Sequence, residues 1–124
     1  MLRRKHSEPK KGFFKTYEDH TANDTLLAAD FPMRHTNSGA SGTITLTLPA
    51  AVANAEYYAD FHVLEAQALR IDPNGSEQIH VNGSLQAAGK YISCSEIGGF
   101  IRLYCRESGV WRTRDKRHAW AVES

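Results

Sequence analysis

Apolar and polar residues alternate with a period of two along most of the chain. Ile44, Leu46 and Leu48 fall on one phase of residues 43–48 and Thr43, Thr45 and Thr47 on the other. That is the signature of a half-buried strand, and a β-branched row suits a pleated surface. Pro49 ends it. In residues 69–81, Leu69 and Ile71 flank Arg70, and Ile79 and Val81 flank His80. Between these runs lies Asp72-Pro73-Asn74-Gly75, in which proline pre-sets φ and Asn or Gly tolerates the positive φ that follows. The pattern predicts a β-hairpin with a slightly long loop.

The same alternation predicts strands over residues 57–64, with Phe61 and Val63 inward, and over 91–95. It continues over 100–105, with Ile101, Leu103 and Cys105 inward, over 110–113, and at a closing strand over 120–122. A short strand over 24–28 and a segment bent at Pro32 precede them. Residues 50–55 offer one helical turn, and 85–88 favour neither strand nor helix. The breaks fall at 37–42, Asn82-Gly83, Gly98-Gly99 and Ser108-Gly109. Residues 114–117 read as a charged loop. About eight short strands with almost no helical period predict an all-β fold, a small antiparallel β-sandwich or barrel-like domain with an extended N-terminal arm. The 124 residues suffice for one domain. No internal repeat aligns in the sequence.

Residues 1–16 break this pattern. They are rich in Lys and Arg, interrupted by Pro9 and Gly12, and carry one apolar pair, Phe13-Phe14. A purely solvating tail is poor in aromatics. The stretch therefore reads as an arm that docks on a partner, and the division is an arm over 1–20 and a β-domain over 21–124. With 15 Lys and Arg against 14 Asp and Glu, bulk charge implies no polyanionic partner. The distribution is less even: Arg3, Arg4, Lys5, Lys10, Lys11 and Lys15 crowd the start, and Arg106, Arg112, Arg114, Lys116 and Arg117 the end. Such asymmetry points to an acidic partner or to self-association of unlike ends. The candidate partner-binding residues are Arg3, Arg4, Lys5, Lys10, Lys11, Phe13, Phe14 and Tyr17 on the arm, with Arg112, Arg114 and Arg117 near the end.

Other classes find little support. No apolar run approaches the roughly 20 residues that span a bilayer. The basic start has no apolar segment after it, so no secretory signal and a cytoplasmic site of synthesis are expected. A hairpin around Gly98-Gly99 would set Cys94 and Cys105 apart by more than about 10 Å along the strands, beyond the roughly 7 Å that a disulfide tolerates. Two free thiols are expected. The six histidines form neither H-x-H nor H-x-x-x-H, so no zinc site on a single element, and no cofactor, is expected. Asp60 and His62 share a strand phase, which would suit a base with its orienting carboxylate. That phase is the outward one, however, and no nucleophile, P-loop or dinucleotide motif is present, so no catalytic residue is assigned and no enzyme is expected. Tyr57, Tyr58, Tyr104, Trp111 and Trp120 are the candidates for stacking on a sugar or a single-stranded base. The competing reading places them in the sheet core and at its edges.

Several segments together resemble a small β-domain that recurs in virion proteins of tailed bacteriophages. They are 37–49 (NSGASGTITLTLP), 69–75 (LRIDPNG), 87–93 (AAGKYIS), 101–105 (IRLYC), 109–111 (GVW) and the closing 120–124 (WAVES). The likeness runs from about residue 23 to the end. The basic arm and the 112–117 run depart from it. The resemblance implies a structural protein without catalytic residues, most concretely a capsid decoration or cement protein. It would bind the major capsid protein or another virion protein on the capsid surface after assembly in the host cytoplasm, as a homo-oligomer with a trimer favoured. A tail or adsorption component is the first alternative, and a carbohydrate-binding β-module the second. A single-stranded nucleic-acid binder using both basic ends is the third alternative. No sequence-specific nucleic-acid role is expected, because the basic residues sit at the two ends of the chain and not between aromatics on one face.

Overall fold

A computed structural model describes residues 17–30, 33–53 and 58–124. Arg3, Arg4, Lys5, Lys10, Lys11, Phe13 and Phe14 lie outside the described residues. The described chain forms β1 (Tyr17–Asp19), β2 (Asp24–Thr25), β3 (Met33–Thr36), β4 (Ile44–Thr47), β5 (Tyr58–His62) and β6 (Leu69–Asp72). There follow β7 (Gln78–Val81), β8 (Ser84–Leu85), β9 (Ile92–Cys94), β10 (Phe100–Glu107), β11 (Val110–Arg117) and β12 (Ala121–Val122). The one helical element among the described residues is a 3₁₀ turn at Ala28–Asp30. The Asp30 carboxylate closes it by accepting the Leu27 N–H at 2.7 Å.

The fold is all-β and sandwich-like. A seven-stranded sheet runs β1-β3-β5-β10-β11-β7-β8, and a five-stranded sheet runs β12-β9-β6-β4-β2. Both are mixed. The chain changes sheet at every connection from β1 to β7, so successive passes through one sheet run parallel: β2, β4 and β6 in the smaller, β1, β3 and β5 in the larger. Paired residues are offset by 17 positions between β1 and β3, 22 between β2 and β4, 25 between β4 and β6, and 26 between β3 and β5. The first half of the domain is thus a short stack of β-arches of unequal length.

This topology corrects the hairpin expected over residues 69–81. β6 pairs with β4 and β9, whereas β7 pairs with β11 and β8 in the other sheet. The Pro73–Gly75 turn carries the chain across the sandwich, with Gly75 at φ +55°. Leu69, Ile71, Ile79 and Val81 are all fully buried, facing each other through side chains and not through backbone bonds. Alternation determines which residues point inward but not which strand lies alongside, and an arch uses the same turn chemistry as a hairpin. True hairpins occur elsewhere. Asn82-Gly83 joins β7 to β8 with both residues at positive φ (55° and 84°), the two-residue turn whose twist matches its strands. Ser108-Gly109 joins β10 to β11.

Two further expectations change. Residues 114–117 are not a loop: β11 continues to Arg117, because β10 offers it a backbone ladder as far as Phe100. Polar side chains suit the solvated face of such a pair. The sheet also starts within the stretch assigned to the arm, since β1 pairs with β3 from Tyr17 onward. The inward rows agree with the sequence: Ile44, Leu46 and Leu48, then Phe61 and Val63, then Ile101, Leu103 and Cys105, are all buried. Both cysteines are free and buried, but the geometry differs from the expected hairpin, because β9 and β10 belong to opposite sheets.

Candidate functional site

Cross-strand register puts residues that face each other on the same side of a sheet. On the outer side of the seven-stranded sheet, one row reads Tyr17, Arg34, Asp60, Arg102, Asp115 across β1, β3, β5, β10 and β11. Its charges alternate in sign from Arg34 onward. The next row toward β8 reads Tyr58, Tyr104, Arg112, His80, Leu85. A third contains Asp19, Thr36, His62, Phe100 and Arg117.

The pairings within this face are specific. Asp60 accepts two bonds from Arg102, at 2.6 and 3.0 Å, the fork geometry that only a guanidinium offers. Arg112 pairs with Glu107 at 3.0 Å. Three guanidiniums lie over rings at 5.1 Å from the centroid: Arg102 on Tyr58, Arg114 on Tyr104, and Arg117 on Phe100. Contact with a rigid ring lowers the cost of ordering Arg114 and Arg117 on a partner, whereas Arg102 is already engaged with Asp60. His62 packs on Phe100 with centroids 4.8 Å apart. Burial, and then the Arg34 charge, push its pKa below the usual histidine value, with Asp60 opposing. It is therefore a neutral member of a mixed-charge face, on which five arginines stand among Asp19, Asp60, Glu107 and Asp115, and Asp60 is committed to Arg102. The acid–base pairing of these two residues is not supported.

Of the residues singled out from sequence, the fold brings Tyr17, Arg112, Arg114 and Arg117 onto one sheet, with Tyr17 at its edge strand and 49% exposed. Arg34 and Arg102 join them, and the sequence reading missed both. The signal was present, since Arg102 occupies the outward phase of a strand whose inward phase was recognised. The stacking platform is corrected for its tryptophans, while Tyr58 and Tyr104 remain on the outer face and Tyr57 lies outside the described residues. Trp111 is fully buried and donates its indole N–H to the Pro49 carbonyl at 3.2 Å. Trp120 is buried as well and donates to the Phe100 carbonyl at 3.1 Å. Neither ring can meet a ligand. The premise that the basic residues avoid one face is also corrected, because five arginines share this one with Tyr58, Tyr104 and Phe100.

A second polar cluster lies on the inner side of the same sheet, at its β1 edge. Glu18 faces His35 in register, and His35 stacks on Phe61, with ring centroids 5.4 Å apart. His20 Nε2 and His35 Nδ1 are 3.0 Å apart, and Glu18 Oε1 stands 3.7 and 3.9 Å from those two atoms. Asp24, on the edge strand of the other sheet, places Oδ2 3.7 Å from His20 Nδ1. Among the described residues, this is the one group of three or more His, Cys, Asp and Glu side chains whose donor atoms converge closely enough to hold a metal ion. The histidines form no H-x-H motif in the sequence, but strand pairing assembles donors that no single element carries.

No protein-family model matches the chain, and no characterised protein matches it in a sequence search. No helix among the described residues is long and apolar enough to cross a membrane.

Proposed function

We propose that this protein is a non-catalytic structural component of a bacteriophage virion, a decoration or cement protein that docks on the major capsid protein and stabilises the head. The observation that carries the reading is the arginine–aromatic outer face of the seven-stranded sheet, taken together with the sequence resemblance. Pre-oriented guanidiniums recognise carboxylates on a partner with less ordering cost than free side chains would. Arg and Tyr are also the residue types that most often dominate interface energetics. The basic arm, with Arg3, Arg4, Lys5, Lys10, Lys11, Phe13 and Phe14, adds steering charge and apolar anchors to the same acidic partner. The protein acts as a homo-oligomer, a trimer being favoured.

The test is co-sedimentation with capsids that lack this chain. Arg114→Glu with Arg117→Glu is expected to weaken retention at least tenfold, more at low salt than at high. Undiminished binding by a folded double variant removes the face from the interface. Retention by tails and not by heads moves the protein to the tail alternative. A second reading, binding of a single-stranded nucleic acid, is favoured by the same alternation of guanidiniums and rings over one sheet face. An oligonucleotide titration separates it: steep salt dependence with affinity lost in the double variant supports it, and no binding excludes it.

A further inference from the structure

We infer that Glu18, His20 and His35 form a binding site for a divalent cation of the zinc class. Three observations converge. The donor set is two imidazole nitrogens and one carboxylate oxygen, a set used by zinc sites that keep one position open. The three atoms form a triangle with sides of 3.0, 3.7 and 3.9 Å. A point equidistant from all three lies about 2.1 Å from each, within the roughly 2.0–2.2 Å of zinc–nitrogen and zinc–oxygen bonds. The ion would replace the proton of the hydrogen bond that now joins the two rings, and lifting it slightly out of the plane opens the fourth vertex for water.

The surroundings match as well. His20 and His35 are 4% and 0% exposed, so their rings hold fixed orientations. The Glu18 side chain is partly exposed, at 18%, which leaves a path for the ion and its water. A ligating ring nitrogen must present its lone pair. His20 therefore carries its proton on Nδ1, and that atom faces the Asp24 carboxylate at 3.7 Å. The carboxylate is near enough to favour that tautomer electrostatically, and a shift of about 0.7 Å would bring it to the hydrogen-bonded position from which outer carboxylates orient metal-binding rings. An ion here would join β1 to β3 and draw in the β2 edge of the opposite sheet through Asp24. Its role is a staple on a three-residue strand that has a single neighbour among the described residues.

The experiment uses the full chain stripped with chelator. Zinc titrated by calorimetry is expected to bind with one-to-one stoichiometry and to raise the melting temperature. Glu18→Gln and, separately, His20→Gln are each expected to lower affinity by at least about tenfold, the lower bound for losing even an outer partner. Both should abolish the zinc-dependent rise in melting temperature. Substituting Co²⁺ should give the visible bands of a tetrahedral nitrogen–oxygen site in the wild type and lose them in Glu18→Gln. His80→Gln and His118→Gln, remote from the cluster, should change nothing. Absence of binding by a folded wild-type chain overturns the inference. So does binding that survives Glu18→Gln and His20→Gln but falls in His118→Gln, which would mark a surface histidine as the ligand.

Discussion

Gly99 offers the sharpest test of the arch topology. If residues 91–105 were a hairpin, a methyl group at this turn would point into solvent. In the observed fold Gly99 lies where the chain crosses from β9 to β10. A Cβ there would lie 2.6 Å from Cys94 Sγ, 3.1 Å from the Glu96 carbonyl oxygen and 3.2 Å from Val63 Cγ2. Ordinary contact is about 3.5–4.0 Å, so the sulfur must retreat by about 1 Å. The carbonyl is held in place, because it accepts the Gly99 N–H at 2.9 Å. Overpacking of this kind costs about 1–3 kcal/mol. Against that, alanine stiffens the unfolded chain, a gain of about 0.4–1 kcal/mol, since φ at Gly99 lies outside the left-handed range. Gly99→Ala should therefore destabilise by about 1–2 kcal/mol net.

The cause can be isolated with Cys94→Ala, which removes the closest atom. Alone it should cost about 1 kcal/mol for the lost buried sulfur. Combined with Gly99→Ala, the new methyl group occupies the vacated space, so the double variant should be more stable than the sum of the singles by about 1 kcal/mol or more. Urea denaturation followed by the fluorescence of buried Trp111 and Trp120 gives all four free energies, with the slope checking that unfolding stays two-state. Additivity within about 0.5 kcal/mol, or a neutral Gly99→Ala, would refute the argument and restore a solvent-facing turn.

Trp111→Ala should cost about 3–5 kcal/mol, as for other buried aromatic truncations; a stable variant that loses only ligand binding would return Trp111 to the surface. Burial pushes both thiols above their usual pKa, and Cys105 also bonds Val52 through its sulfur at 3.0 and 3.1 Å. Alkylation should accordingly be slow in the folded protein and yield two modified thiols on unfolding, whereas rapid labelling of either native thiol would contradict their burial. His62 is held below its unfolded pKa of about 6.5, so the unfolded chain binds the proton more readily and stability should fall as pH drops below that value. His62→Gln should flatten that acidic limb of the melting curve, and an unchanged profile would assign the loss to other groups.

How much of this was legible depended on range. Thr43–Leu48 gave strand, phase and burial correctly, because alternation is a local property and the core rewards it directly. Residues 69–81 gave correct phase and wrong pairing, because partner choice depends on where β4, β9 and β11 lie. The 114–117 stretch misled in the opposite sense: four polar residues in a row carry no apolar signal, yet β10 supplies a ladder and the strand continues. Trp111 and Trp120 were ambiguous by composition, since an amphipathic ring serves equally in a core or at a binding face. The Glu18–His20–His35 cluster was invisible to any search along one element. Its members become neighbours only when β1 pairs with β3, and the short motif E-x-H is too common to be informative by itself.

The two candidate features share strands, and this has a consequence. Along β1 and β3, side chains alternate between the two faces, so Glu18 and His35 point inward while Tyr17 and Arg34 occupy the outer row directly beside them. Anything that fixes the inner pair fixes the outer one, because a single peptide unit separates them. Among the described residues β1 has three residues and one neighbour, and short edge strands are among the first parts of a sheet to open. An ion at the inner cluster would therefore hold the β1 side of the outer face, and with it the chain that leads from residues 1–16 into the sheet. The far side, with Arg112 and Arg114 on β11, rests on β10 and β7 and should be indifferent to the ion. Hydrogen exchange with and without zinc separates these regions: protection should rise at residues 17–20 and 33–36 and stay level over 110–114. A uniform change over both would mean that zinc stabilises the whole domain and that the edge is not independently labile.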